Sequence, residues 1–164
     1  MVFEKIVTLF FSHGLIGLFL SSFLSSLFFI PAFVELLIPV YVGLDFNPIL
    51  IFVFLTAGAV LGSCINYYMG FWGSKYINIR ATHKKSVKDF LAKWGDFSVL
   101  VMSLLPPPFP FDIATVVFGF LKMNFRTFII STIIGRSIKH ALFIFISIYG
   151  IDALLKLANI YGIG

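Results

Sequence analysis

The feature that most constrains this chain is a long run without charge. Residues 46–74, between Asp45 and Lys75, contain no Asp, Glu, Lys or Arg over 29 consecutive positions. A helix needs only about 20 apolar residues to cross the hydrocarbon core of a bilayer. The rest of the chain is similar, since 60% of its 164 residues are hydrophobic and only 12% are charged, against about 25% in soluble domains. The sequence therefore predicts an all-α polytopic membrane protein.

The basic residues are concentrated in one loop. Between residues 74 and 95 the chain carries Lys75, Arg80, Lys84, Lys85, Lys88 and Lys93. In a soluble protein such a patch would suggest nucleic-acid binding, but in a membrane protein it follows from the excess of Lys and Arg in cytoplasmic loops. We therefore expect the loop at 74–95 to be cytoplasmic, in a multi-pass protein of the cell membrane, and we expect no nucleic-acid partner.

Four hydrophobic segments remain, and only two of them fit simple spanning helices, at 46–73 and 124–150. The other two, at 14–43 and 97–121, are interrupted by prolines, which helix interiors disfavour. These prolines are Pro31 and Pro39 in the earlier segment and Pro106, Pro107, Pro108 and Pro110 in the later one. If the segment at 97–121 crossed the membrane, Lys122 and Arg126 would lie on the non-cytoplasmic side, against the preference of basic residues for the cytoplasm. The sequence therefore predicts two re-entrant helical hairpins, with Pro31 and the later proline cluster at their tips.

An internal repeat supports this topology. A shift of 77 residues aligns Ser26 with Ser103, Pro31 with Pro108, Glu35 with Asp112, Asn47 with Asn124 and Gly58 with Gly135. A single membrane crossing separates the two halves, so they have opposite orientations, as in the inverted repeats of many transporters. The sequence predicts one membrane domain over 1–164. It consists of repeat 1 at about 14–73, the basic loop, repeat 2 at about 96–150 and an interfacial tail at 151–164.

Each predicted hairpin contains one acidic residue, Glu35 in the first and Asp112 in the second. A carboxylate inside a bilayer is costly unless it is paired or hydrated, and such residues are usually functional. We interpret both as proton-coupling residues. The alternative is that each only caps free backbone N–H groups at the start of a half-helix.

A basic cluster lies within the second long helix. Arg136, Lys139 and His140 share one helical face and come ten to fourteen residues after Arg126, which places them near the middle of the bilayer. The guanidinium group of Arg136 is suited to a phosphate, and Lys139 adds a second charge. We predict that both bind an anionic lipid headgroup and that His140 is a proton-relay candidate. The alternative is an internal salt bridge to Glu35 or Asp112 that only stabilises the fold.

Small residues recur every four positions in the first long helix, at Gly58, Gly62, Asn66 and Gly70. Such spacing favours close helix packing, and we assign the three glycines and Gly135 to packing and Asn66 to the edge of a substrate cavity. We interpret the serines at 21, 22, 25 and 26 as residues that ease close packing of the first hairpin. No pattern of His, Cys and carboxylates indicates a metal, and no motif indicates a cofactor or an enzyme.

Several of these motifs together resemble a known family. They are AGAVLGSCINYYMGFWG at 57–73, the P-x-x-x-E of the first hairpin, WGDFSVLVMSLLP at 94–106 followed by Asp112, GFLK at 119–122 and GRSIKH at 135–140. The chain resembles the DedA superfamily, also called VTT or SNARE-associated membrane proteins, and especially its short, YqaA-like branch. The resemblance implies two opposed re-entrant hairpins and movement of lipids or polyprenyl-phosphate carriers between leaflets. Where longer members carry a Gly-Asp pair, this chain has Gly62 and Ser63.

Three functions remain open from the sequence. The first is a transporter or scramblase for a phospholipid or a polyprenyl phosphate. The second is a non-transporting membrane organiser, which would have a dry, fully salt-bridged polar cluster. The third is a proton-coupled carrier of a small solute, which would have a closed cavity without a lateral opening to lipid. Self-association into a homo-oligomer also remains open.

Overall fold

The computed structural model describes residues 14–27, 33–75, 97–105 and 111–161. Its helices are α1 (Gly14–Leu27), α2 (Phe33–Gly43), α3 (Pro48–Gly73), α4 (Phe111–Phe120) and α5 (Phe125–Tyr161). A further helical segment covers 97–104, and the described ranges contain no strand. The predicted hairpin tips, Pro31 and the prolines at 106, 107, 108 and 110, lie outside these ranges, as does the basic loop from residue 76 onwards.

The two long helices coincide with the two predicted spans. Pro48–Gly73 and Phe125–Gly150 each contain 26 residues and are long and apolar enough to cross a membrane. At 1.5 Å per residue, each measures about 39 Å, more than the ~30 Å hydrocarbon core. α5 does not stop at residue 150, where the sequence predicts the start of an interfacial tail, but continues to Tyr161. Residues 151–161 contain neither Pro nor Gly, so nothing in them breaks the helix.

The remaining helices are too short to span a bilayer. α1 has 14 residues, α2 has 11 and α4 has 10, so the longest of them measures about 21 Å. The predicted break at Pro39 is wrong, because Pro39 lies inside α2. The proline removes only the N–H that would bond the carbonyl of Glu35, four residues earlier, and membrane helices tolerate such a loss.

Two short helices, α1 and α4, meet α3 at glycines. A Cβ added to Gly58 would lie 2.4 Å from the carbonyl oxygen of Phe19 in α1, and one added to Gly119 in α4 would lie 1.8 Å from that of Tyr67 in α3. Gly62 packs on α1 and Gly70 on α4 in the same way, while Gly135 of α5 packs on the segment 97–104 at Ser103. These backbones approach too closely for any side chain, which fixes the short helices against the long ones.

The turn that leads into each long helix has the same structure in both halves. Asp45 and Lys122 have positive φ values, 57° and 56°. Two residues later, the side chains of Asn47 and Asn124 accept hydrogen bonds of 2.9 Å from the backbone N–H groups of residues 49 and 126. The backbone bonds around the turns also correspond at a spacing of 77 residues. The sequence repeat therefore extends to the backbone conformation.

The interior contains two apolar clusters with a polar layer between them, formed by buried side chains that include Ser26, Thr56, Ser63, Asn66, Arg136 and His140. The first cluster includes Leu18, Ile38, Tyr41, Ile51, Leu55 and Ile144, and the second includes Tyr67, Val99, Phe111, Phe118 and Phe128. Because α3 contributes to both, the stretch of α3 between Leu55 and Tyr67 passes through the polar layer. The outer surface is apolar as well, with side chains such as Ile49 and Leu36 about 70% exposed.

Candidate functional site: two ion pairs in a buried polar layer

α5 carries three basic side chains through the polar layer. Arg136 is about 16 Å along the helix from Phe125, and its side chain is 6% exposed, while that of Lys139 is 12% exposed. His140 is 1% exposed. These residues lie too far along the helix to reach water at its N-terminal end, so the charges of Arg136 and Lys139 must be met inside the protein.

Arg136 connects four helices. Its Nη2 forms an ion pair with Oδ1 of Asp112 in the first turn of α4. The same nitrogen donates hydrogen bonds of 3.0 Å to the hydroxyls of Ser26 in α1 and Ser63 in α3. The Phe111 ring lies 5.1 Å from the guanidinium carbon, a distance that favours a cation–π interaction. Arg136 is therefore the centre of the polar layer.

Ser26 provides a second link between the two halves of the chain. Its hydroxyl lies within hydrogen-bonding distance of both Asp112 Oδ1 and the carbonyl oxygen of Ala59, the latter at 3.3 Å. A hydroxyl has one proton and donates to one acceptor at a time, and a charged carboxylate is the stronger acceptor. Ser26 thus donates to Asp112 while it accepts from Arg136.

Lys139 forms the second ion pair. Its Nζ lies 2.8 Å from Oε1 of Glu35, which is in the first turn of α2. Each predicted hairpin thus supplies one acid, and both acids pair with bases on α5. Both acids also lie at helix N-termini, where the helix dipole favours a negative charge.

His140 and Asn66 occupy different places in the layer. Nδ1 of His140 lies 3.0 Å from the hydroxyl of Thr56, a contact between α5 and α3 in which the donor depends on the tautomer. Nδ2 of Asn66 donates a 2.9 Å hydrogen bond to the carbonyl of Ser26. The structure thus places Asn66 beside the Arg136 centre and His140 against the opposite long helix.

Some buried polar atoms in this layer have no partner among the described residues. They are Oδ1 of Asn66, Oγ1 of Thr132, Nε of Arg136 and Oγ of Ser21. Buried polar groups are nearly always hydrogen-bonded. The polar layer is therefore salt-bridged, but the described residues do not satisfy all of its donors and acceptors.

Three polar residues that contact Arg136 or His140 are absent from the predicted site. Ser26, which the sequence predicts as a packing residue, contacts both members of an ion pair, and Ser63 and Thr56 contact Arg136 and His140, respectively. Two signals in the sequence point to the serines. Ser26 aligns with Ser103 in the repeat, and Ser63 stands where the resemblance noted in the sequence analysis implies an acid.

The layer has bases that can bind anions. Arginine and lysine bind both carboxylates and phosphates, so a phosphate could compete with either acid for its base. Within the described ranges, no group of three His, Cys, Asp or Glu side chains is placed to hold a metal ion.

Comparison with known proteins assigns the chain to a family. The model of the VTT domain matches residues 30–149. An uncharacterized protein from Methanocaldococcus jannaschii is 25% identical over 145 residues, which cover 86% of this chain and 88% of the relative. No solved structure matches the chain significantly. With its two long apolar helices, the chain is a membrane protein and belongs to the VTT-domain, or DedA, family.

Proposed function

We propose that this protein moves an anionic lipid, either a phospholipid or a polyprenyl phosphate, between the two leaflets of the cell membrane. The observation that carries the proposal is that two bases in the middle of α5 pair with acids from two different short helices. Arg136 pairs with Asp112 of α4, and Lys139 pairs with Glu35 of α2. A lipid phosphate has the charge and geometry to replace either acid.

The exchange of partners suggests how protons take part. When a phosphate binds Arg136, the carboxylate of Asp112 loses its counter-charge in a poorly hydrated site, and protonation then becomes the least costly way to keep it there. The same holds for Glu35 when Lys139 binds the headgroup. Glu35 and Asp112 are thus the proposed proton-coupling residues, and His140, next in sequence to Lys139, is the proposed relay.

The proposed architecture is an inverted repeat of two re-entrant hairpins, with the loop at 74–95 in the cytoplasm. Three observations support it: the short lengths of α1, α2 and α4, the identical turns 77 residues apart, and the glycine contacts that hold a short helical element against each long helix. Alternating movement of the hairpins against the long helices would expose the ion pairs to one leaflet and then to the other.

The test is lipid exchange in proteoliposomes. Purified protein is reconstituted with a fluorescent phospholipid or a labelled polyprenyl phosphate, and the label in the outer leaflet is quenched chemically over time. We expect exchange with the wild type and its loss with Arg136→Gln. Arg126→Gln is the matched control, because Arg126 is on the same helix but exposed. Equal rates for the wild type, Arg136→Gln and empty liposomes would rule out the proposed function.

The second candidate is a non-transporting membrane organiser. The observation that favours it is that both bases already have acidic partners within the protein. It predicts no exchange by the wild type. A small-solute carrier predicts proton-coupled uptake of a solute without lipid exchange.

A further inference from the structure

A crevice opens on the side of the molecule where α3 and α5 face each other. It has a volume of about 280 Å³ and is lined by Pro48, Ile49 and Phe52 of α3 and by Ala141, Ile144, Phe145 and Ile148 of α5. Every lining residue is apolar. Ile49 is 71% exposed and Phe145 is 57% exposed, so the crevice opens onto the apolar outer surface.

From the inner end of the crevice, the contact between the two helices continues towards the ion pairs. Phe52 and Ile144 each lie four residues, or one helical turn, from Thr56 and His140, which form the 3.0 Å hydrogen bond between α3 and α5. Beyond that bond, Ser63 of α3 accepts a hydrogen bond from Arg136 of α5. We call this contact, from Pro48 and Ile148 to Ser63 and Arg136, the α3–α5 seam.

The seam is built differently from the glycine-mediated interfaces of the molecule. The closest contacts of Gly58, Gly62 and Gly70 in α3 are with α1 and α4, and those of Gly135 in α5 are with the segment 97–104. In these interfaces backbone lies against backbone or against a short side chain, so they cannot open without losing tight packing. The seam is held instead by side-chain contacts such as Thr56 with His140 and Ser63 with Arg136.

We propose that the α3–α5 seam is the lateral entrance for the lipid. This proposal rests on the function proposed above and adds the path of the substrate. One hydrocarbon chain of the lipid lies in the crevice, and the Thr56–His140 hydrogen bond closes its inner end. When that bond breaks and the seam parts, the headgroup passes between the two long helices to Arg136 while the chain stays in contact with the bilayer.

The shape and chemistry of the crevice favour a hydrocarbon chain over a protein partner. A helix with its side chains is about 10–12 Å across, too thick for a crevice of about 280 Å³. A polar solute would find no hydrogen-bonding group among the lining residues. A single acyl or isoprenoid chain is narrow and apolar. Such chains would already lie against the apolar outer surface onto which the crevice opens.

The first test fills the crevice without disturbing the core. Ala141→Phe adds a ring at an exposed position inside the crevice, and Leu142→Phe makes a similar change at the next exposed position, which does not line it. In the proteoliposome assay, we expect Ala141→Phe to lose most of the exchange activity and Leu142→Phe to retain it, with both variants as thermally stable as the wild type.

The second test locks the seam. Ile49→Cys and Ile148→Cys, combined with Cys64→Ala to remove the native thiol, are bridged by a short bifunctional thiol reagent that a reductant cleaves. We expect exchange to stop after bridging and to return after reduction, whereas single-cysteine variants treated in the same way keep their activity.

The outcomes separate this proposal from the proposed function. If the wild type exchanges lipid but Ala141→Phe and the bridged variant exchange it equally fast, the lipid enters elsewhere and the seam proposal is wrong, although the transport function stands. If the wild type shows no exchange, both proposals are wrong. Loss of exchange in Leu142→Phe as well would also overturn the seam proposal, because the effect would not depend on the crevice.

Discussion

The ion pair between Arg136 and Asp112 allows a direct test of whether the polar layer serves function or only stability. The perturbation is a cycle of three variants: Asp112→Leu, Arg136→Met and the double variant. In Asp112→Leu, the guanidinium group of Arg136, 6% exposed, keeps only the neutral hydroxyls of Ser26 and Ser63 as described hydrogen-bond partners. In Arg136→Met, the carboxylate is left without its counter-charge.

The expected magnitudes follow from these contacts. Removal of one member of a buried ion pair costs about 3–5 kcal/mol, whereas replacement of both members by apolar residues is often neutral or even stabilising. The double variant also leaves no hydroxyl without an acceptor, because Ser26 and Ser63 both lie within hydrogen-bonding distance of the Ala59 carbonyl, at 3.3 and 3.0 Å. We therefore expect each single variant to be about 3–5 kcal/mol less stable than the wild type and the double variant to be close to it.

The assay is thermal unfolding in detergent together with lipid exchange in proteoliposomes. For a chain of this size, about 1 kcal/mol corresponds to roughly 2–4 °C, so the single variants should lose about 6–20 °C in Tm and the double variant should recover most of it. We expect the recovered double variant to show no lipid exchange, since the base that binds the headgroup is gone.

Two results would refute this reasoning. A double variant as unstable as either single variant would mean that the two charges do not only compensate each other, and that other groups also depend on the pair. A stable double variant that still exchanges lipid at the wild-type rate would mean that Arg136 does not bind the headgroup and that the pair only holds the fold together.

Three further predictions concern the scaffold. Gly119→Ala should lower the stability by about 1–3 kcal/mol or more, because the new Cβ would lie 1.8 Å from a backbone oxygen of α3. Gly73→Ala is the control and should keep the wild-type stability, because nothing lies within 4 Å of its new Cβ. Equal Tm values for the two variants would contradict the packing of α4 on α3. Asn47→Ala and Asn124→Ala should each lower the free energy of unfolding by about 0.5–2 kcal/mol. The two losses should be similar, because the caps are equivalent, and thermal unfolding would show any difference. Thr132→Val should leave Tm unchanged or raise it, because the Thr132 hydroxyl is buried without a partner among the described residues; a large fall would reveal such a partner.

Much of the fold could be predicted from local features of the sequence. The uncharged run at 46–74 predicted α3, and the repeat predicted that Asn47 and Asn124 stand at equivalent positions. Both features act over a few neighbouring residues, so they are visible in the chain itself. Pro39 shows the limit of such reasoning. The cost of a proline in a helix can be read from the local sequence, whereas the packing that keeps α2 helical around Pro39 comes from the tertiary structure.

The site was predictable in its residue types but not in its connections. Spacing along α5 indicates that Arg136 and Lys139 share a helical face, and burial indicates that they need acidic partners. Nothing in the spacing shows that Ser26 would stand between the halves, because that depends on how closely α1 packs on α3. The glycines at 58 and 62 allow that approach, but the contact partners come from the tertiary structure.

The sequence by itself determined that the chain forms long and short apolar helices in a repeat, because hydrophobic length, caps and prolines act on the segments in which they occur. Only the tertiary structure decided which acid meets which base. Glu35 is separated from Lys139 by 104 positions and Asp112 from Arg136 by 24, and either acid could in principle pair with either base. The choice follows from packing between helices, which places α2 against α5 and α4 against α3, and not from any pattern within one helix.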